Sequence, residues 1–166
     1  MIPLGLDRGG SLLVGQNEHL RGMWLCLNPT CLQRAAEEPR HVAKAIRNRP
    51  PDTRNLPSMV QQYLRSQVAV QLQYAWRSGV IVHGSQRVMN CLNENISAVF
   101  FAADAGAEIK ARTLKKNSSI SNYIIPLSCA EIGTLLRRGP RSVLALRPGR
   151  KTQSLIETLR GWDSLG

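Results

Sequence analysis

The chain has 166 residues, with 22 Lys+Arg against 11 Asp+Glu, a net charge of +11 and 43 % hydrophobic residues. That hydrophobic content supports a folded core and argues against disorder over most of the length. The basic excess speaks of partners, not of fold: phosphate backbones and anionic membranes are its usual counterparts. With no basic amphipathic helix bearing a bulky apolar face, and no lipid-anchor motif, nucleic acid leads and a membrane partner is not expected.

Residues 1–66 hold nine Lys/Arg against five acids, and residues 67–166 hold thirteen against six. This is not a neutral domain with a basic tail. Met1–Gly10 lacks a basic stretch followed by an apolar one, so no secretory leader is expected. The longest apolar run, Ala98–Ala103, is far too short for a bilayer. Four cysteines (Cys26, Cys31, Cys91, Cys129) do not make a disulfide scaffold. A cytoplasmic location is expected.

In chain order, Ile2–Leu6 and Ser11–Val14 read as strands flanking Asp7-Arg8-Gly9-Gly10, which has the chemistry of a hairpin turn. A third strand, Met23–Cys26, runs into Asn28-Pro29, an N-cap followed by Pro at the first helical position. The helix carries Cys31, Leu32, Ala35 and Ala36 and yields at Pro39. A second helix, Arg40–Arg47, puts Val42, Ala45 and Ile46 on one side. The unit covers residues 1–49 and is small for independent stability. Residues 50–57, with three prolines and no apolar period, read as a linker.

Ser58 then caps a long helix whose Val60, Leu64, Val68, Leu72 and Ala75 recur at helical spacing, and Gly79 closes it. Strand and helix patterns alternate from there. Val80–His83 leads through Gly84 into a helix with Val88, Met89 and Leu92. Ala98–Ala103 has the continuous apolar character of a strand covered on both faces, and Asp104 reads as the N-cap of the helix ending in Lys110–Lys116. Tyr123–Pro126 is a strand, Ser128 and Glu131 form a capping box, Ser142–Leu146 is a further strand, and Pro148 opens the last helix. The alternation predicts an α/β fold with helices on both faces of a sheet across residues 58–166.

Two resemblances run along these elements. His19-Leu20-Arg21-Gly22-Met23-Trp24-Leu25-Cys26, followed by Cys31-Leu32-Gln33-Arg34-Ala35, resembles the central motif of the YlxR family, in which Gly-Arg-Gly-aromatic-Leu-Cys precedes a helix. Ile2–Gly10 resembles the extended segment before it. The family's Arg-rich opening is absent and Leu20 replaces the first glycine, so residues 1–50 resemble a shortened version. Residues 60–166 are similar to the L-seven-Ae superfamily of ribosomal and kink-turn-binding proteins. The markers are Gly79 and Gly84 around a short strand, Val99–Asp104, Ile125-Pro126 before Glu131-Ile132-Gly133, and Ser142–Leu146, in that order and spacing. The resemblances imply a small N-terminal α+β module followed by a three-layer α/β/α sandwich. They also imply a non-enzymatic partner of structured RNA, ribosomal or otherwise non-coding, with ribosome or transcription–translation factors as further partners.

In the L-seven-Ae superfamily, RNA is held by the turn and helix after the glycine matching Gly84. Glycine admits close backbone approach, and helix N-terminal amides suit a phosphate. Ser85, Gln86, Arg87 and Asn90 follow. Kink-turn binders place Asn, Glu and Lys here; Gln86 keeps the amide, Arg87 reverses the charge and Asn90 lacks it, which favours phosphate contact over kink-turn readout. The superfamily also places the loop before the last strand beside this helix, so Arg137, Arg138 and Arg141 are expected to share its face, where an Arg fork can bridge phosphate oxygens. Lys110, Arg112, Lys115 and Lys116 are read as complements of a helix dipole.

In the first module, Arg21, Trp24 and Arg34, with Arg40, Lys44, Arg47 and Arg49, offer a second RNA surface. Trp24 reads there either as a stacking aromatic or, the preferred reading, as core in a module poor in large apolar side chains. Cys26 and Cys31 at C-x4-C spacing lack the second Cys pair a zinc site needs, and His19 and His41 are poorly spaced substitutes. No metal or cofactor is expected. No phosphate loop, nucleophile elbow, H-E-x-x-H helix or Cys/His pairing occurs, and Asp104 is more cheaply explained as a cap than as a catalytic acid. The rival class is a protein-interaction adaptor in transcription or translation assemblies, its charge serving solubility or an acidic partner.

Overall fold

Alternation of apolar side chains builds the first sheet. A computed structural model describes residues 1–16 and 22–165. Strand β1 (Ile2–Leu6) lies between β2 (Leu12–Val14) and β3 (Met23–Leu25), both antiparallel to it. Asp7 closes the hairpin by accepting at Oδ1 from the Ser11 amide at 2.8 Å. Ile2, Leu4, Leu6 and Leu25 are buried against Leu32 and Ala35 of α1 (Pro29–Glu37) and Val42 and Ile46 of α2 (Pro39–Ile46). Asn28 caps α1 from Oδ1, accepting from the Thr30 amide at 2.9 Å.

The described chain divides into two compact units, Met1–Leu64 with Arg160–Gly166, and Arg65–Leu159. Helix α3 (Leu56–Arg77) carries the expected apolar stripe, but the stripe serves two cores. Leu56, Val60 and Leu64 belong to the first, and Val68, Leu72 and Ala75 to the second. The reading of residues 50–57 as a linker is corrected here. Thr53 is buried and donates from Oγ1 to the Ala36 carbonyl at 2.7 Å, and Leu56 is wholly buried. The prolines shape a packed loop; they do not free it.

The second unit holds a four-stranded sheet in the order β4 (Ile81–His83), β7 (Val143–Leu146), β5 (Ala98–Ala102), β6 (Ser121–Ile125). β4/β7 and β7/β5 are antiparallel, and β5/β6 is parallel. Every residue of β5 and β7 is buried, as a strand covered on both faces requires. The cover comes from α3, α4 (Ser85–Cys91), α6 (Cys129–Leu135) and α7 (Arg150–Asp163), through Leu72, Val88, Ile132 and Leu155 among others. The fold is α/β, as the alternating pattern predicts. No helix among the described residues is long and apolar enough to cross a membrane.

Asp104 does not cap α5 (Ala107–Lys116), whose N-cap is Gly106. Its Oδ1 accepts from the Cys129 amide at 2.7 Å. Lying past the end of β5, it meets the helix that follows the neighbouring parallel strand, a partner that local spacing does not reveal. The Ser128–Glu131 capping box forms as expected. Glu131 also accepts from Arg65 Nη2, and Arg65 Nε donates to the Pro126 carbonyl at 2.9 Å.

Candidate nucleic-acid interface

Two turns build the site. At the end of β4, Gly84 takes φ +90°, a conformation L side chains avoid, and its carbonyl accepts from the Val88 amide at 2.9 Å to open α4. The turn presents Ser85, Gln86 and Arg87. Gln86 Nε2 donates to Asn90 Oδ1 at 3.1 Å, so the two amides hold each other along the helix. α4 has only seven residues.

The second turn ends α6. Arg137 N donates to Thr134 O at 3.1 Å and Arg138 N to Gly133 O at 2.8 Å, the paired bonds of a Schellman turn. Arg137 occupies the left-handed position at φ +52°, where glycine is usual. The returning loop lies against Gly133: a Cβ there would stand 2.5 Å from the Gly139 carbonyl oxygen. Only glycine at 133 leaves the Arg137–Arg141 loop its place.

His83, Gly84, Ser85, Gln86, Arg87, Arg138 and Arg141 line one concavity of about 550 Å³, with no acidic side chain among them. Arg141 is fixed from behind. Its Nε donates to His83 Nδ1 at 3.3 Å, and its Nη1 to the carbonyls of Gly139 and Pro140, each at 3.0 Å. Trp76 meets the His83 ring edge-on at 5.2 Å between centroids, and the Arg138 guanidinium lies 6.0 Å from the Trp76 centroid. Arg87 makes no ion pair among the described residues. Loss of solvent first, then the charges of Arg141, Arg138 and Arg87, hold His83 below its ordinary value. The ring is neutral near pH 7 and accepts at Nδ1, so its proton sits on Nε2. Three guanidinium groups therefore share a half-open polar hollow without a counter-charge.

Of the residues expected at an RNA face, the structure brings Gly84, Ser85, Gln86, Arg87, Arg138 and Arg141 together. Asn90 stands one turn along α4, bound to Gln86, and Arg137 shapes the loop without lining the hollow. His83 and Trp76 were not anticipated. A His directly before the glycine was the available signal for the first; Trp76, outside the helix's apolar stripe as read from the sequence, had none.

The expected first-module surface is described only in part. Arg21 lies outside the described residues. Trp24 is 60 % exposed, against the core reading. It pairs with Pro3 across β1 and β3, whereas Ile2, Leu4 and Leu25 point into the core; alternation thus sends Trp24 to the sheet face turned away from the helices. Arg34 stands on α1, paired with Glu38 at 3.6 Å.

No family model matches the sequence, and no curated protein is detectably similar to it. Among solved structures, the chain is similar to a protein of unknown function from Bacillus halodurans, 20 % identical, over 56 % of this chain and 96 % of that one, with a TM-score of 0.51. It is also similar to the Giardia lamblia 15.5kD RNA binding protein, 15 % identical, over 63 % of this chain and 91 % of that one, with a TM-score of 0.47. At such identity the likeness to the Bacillus protein is one of fold.

Proposed function

We propose that the chain is a non-enzymatic protein that binds structured RNA, ribosomal or another folded non-coding RNA, by its phosphate backbone. The carrying observation is the convergence of Arg87, Arg138 and Arg141 on one hollow that no acid lines. Guanidinium forks match phosphate oxygens and strengthen where water is partly excluded. The surrounding unit, Arg65–Leu159, carries thirteen Lys/Arg against five acids, a field that draws polyanions in. Arg87 and Asn90 stand where kink-turn binders carry Glu and Lys, which favours backbone grip over base reading. The likeness of residues 1–50 to YlxR and of 60–166 to the L-seven-Ae superfamily supports a role on RNA in translation.

The test is a filter-binding titration of Arg87→Glu combined with Arg138→Glu. Each lost charge-assisted contact is worth on the order of 1–2 kcal/mol, so affinity for folded RNA falls about tenfold or more. Unchanged affinity would remove this face from the reading.

A further inference from the structure

Trp76 stands one residue before the end of α3. Its carbonyl accepts from the Gly79 amide at 3.0 Å, and Gly79, at φ +70°, turns the chain into β4, which carries His83. The indole is half-buried, packed against the core of the second unit, and does not itself line the arginine hollow. Folding therefore sets where the ring lies.

Two contacts run from that ring to the hollow. It meets His83 edge-on, centroids 5.2 Å apart and planes at 68°, and His83 Nδ1 accepts from Arg141 Nε at 3.3 Å. It also lies 6.0 Å from the Arg138 guanidinium carbon, within cation–π reach. Arg87, the third cation of the hollow, makes no ion pair and no ring contact among the described residues.

We propose that Trp76 is a positioning residue for RNA binding: directly at Arg138, and through His83 at Arg141, it holds two of the three guanidinium groups in place before the polynucleotide arrives. The inference rests on the RNA reading of the hollow. An unrestrained arginine gives up rotamer freedom when it grips a phosphate, and one already held by a ring has given up part of it on folding. The ring holds Arg138 without taking any of its N–H donors in a hydrogen bond. Arg141 uses Nε on His83 and Nη1 on the carbonyls of Gly139 and Pro140, which leaves the two protons of Nη2 for phosphate oxygens.

The test is filter binding of the full-length protein to unfractionated transfer RNA, below the unfolding temperature of each variant. Trp76→Met keeps the apolar bulk without a ring face, and Trp76→Phe keeps a ring. Trp76→Met is expected to weaken binding about tenfold and Trp76→Phe by at most about threefold. On top of Arg138→Gln with Arg141→Gln, Trp76→Met weakens binding by less than about threefold more, whereas on top of Arg87→Gln it still weakens it about tenfold. A role in the fold alone gives the same loss in every background, and that result would overturn the proposal. A second readout needs neither variant nor RNA: nuclear magnetic relaxation of the arginine Nε–H groups is expected to show Arg138 and Arg141 more restricted than Arg87. Equal mobility of the three would also overturn it. If replacing all three arginines by Gln leaves the RNA affinity unchanged, the RNA reading itself falls, and the role of Trp76 falls with it.

Discussion

Arg137 sits in a left-handed backbone that costs a non-glycine residue about 1–2 kcal/mol, yet its side chain does not line the hollow. Arg137→Gly relieves that strain, offset in part by the freer unfolded chain. The expected result is a gain of up to about 1 kcal/mol in urea unfolding, with RNA affinity little changed. His83 makes a second residue-scale prediction. Its folded value lies below its unfolded one, so the neutral ring stabilises the fold above the unfolded value, and this stability is lost as pH falls through the folded value. Urea midpoints are therefore expected to drop as pH falls below the ordinary imidazole value of about 6.5, and His83→Gln flattens that part of the drop. A phosphate seated beside the ring reverses the sign for binding. It raises the His83 value, RNA binding takes up a proton, and affinity measured by filter binding rises over the same range in the unaltered chain but less in His83→Gln.

At the scale of elements, the arginine loop depends on a close approach between α6 and its own return. A methyl group at Gly133 meets Gly139 and Arg138 backbone atoms at 2.5–3.0 Å, and backbone does not yield as a side-chain tip does. Gly133→Ala is expected to destabilise by about 1–3 kcal/mol and to displace the loop. Its mark is a weakened RNA affinity that persists below the unfolding transition. How much of this was legible varied with the range of the interaction. Asn28-Pro29, Ser128 with Glu131, and Gly84 are caps and turns written within four residues, and the structure contains each. Asp104 with Cys129 and Arg65 with Glu131 lie 25 and 66 residues apart, beyond any periodic pattern. Gly133 could be placed on its helix but not given its purpose, which exists only once the loop has returned. Trp24 was misread because composition asked for a large core residue; the register with Pro3, invisible before strand pairing, turned it outward.

For the molecule as a whole, the long apolar stripe of α3 was plain in the sequence, but not that Leu56–Leu64 and Val68–Ala75 would enter different cores. Proline density made residues 50–57 look separable, although Leu56 and Thr53 anchor them in the first unit. Positive charge, by contrast, was legible from the start and remains the broadest functional statement: +11 over 166 residues. If RNA phosphates neutralise several of these cations, counterions are released and log affinity falls steeply and linearly with log salt. Ultraviolet crosslinking of the full-length protein to its co-purified RNA, with mass-spectrometric mapping of the attached peptides, asks directly where the polynucleotide lies. Crosslinks are expected in the segments carrying Trp76, His83–Arg87 and Arg137–Arg141. Crosslinks confined to other segments, such as Lys110–Lys116, would contradict the account.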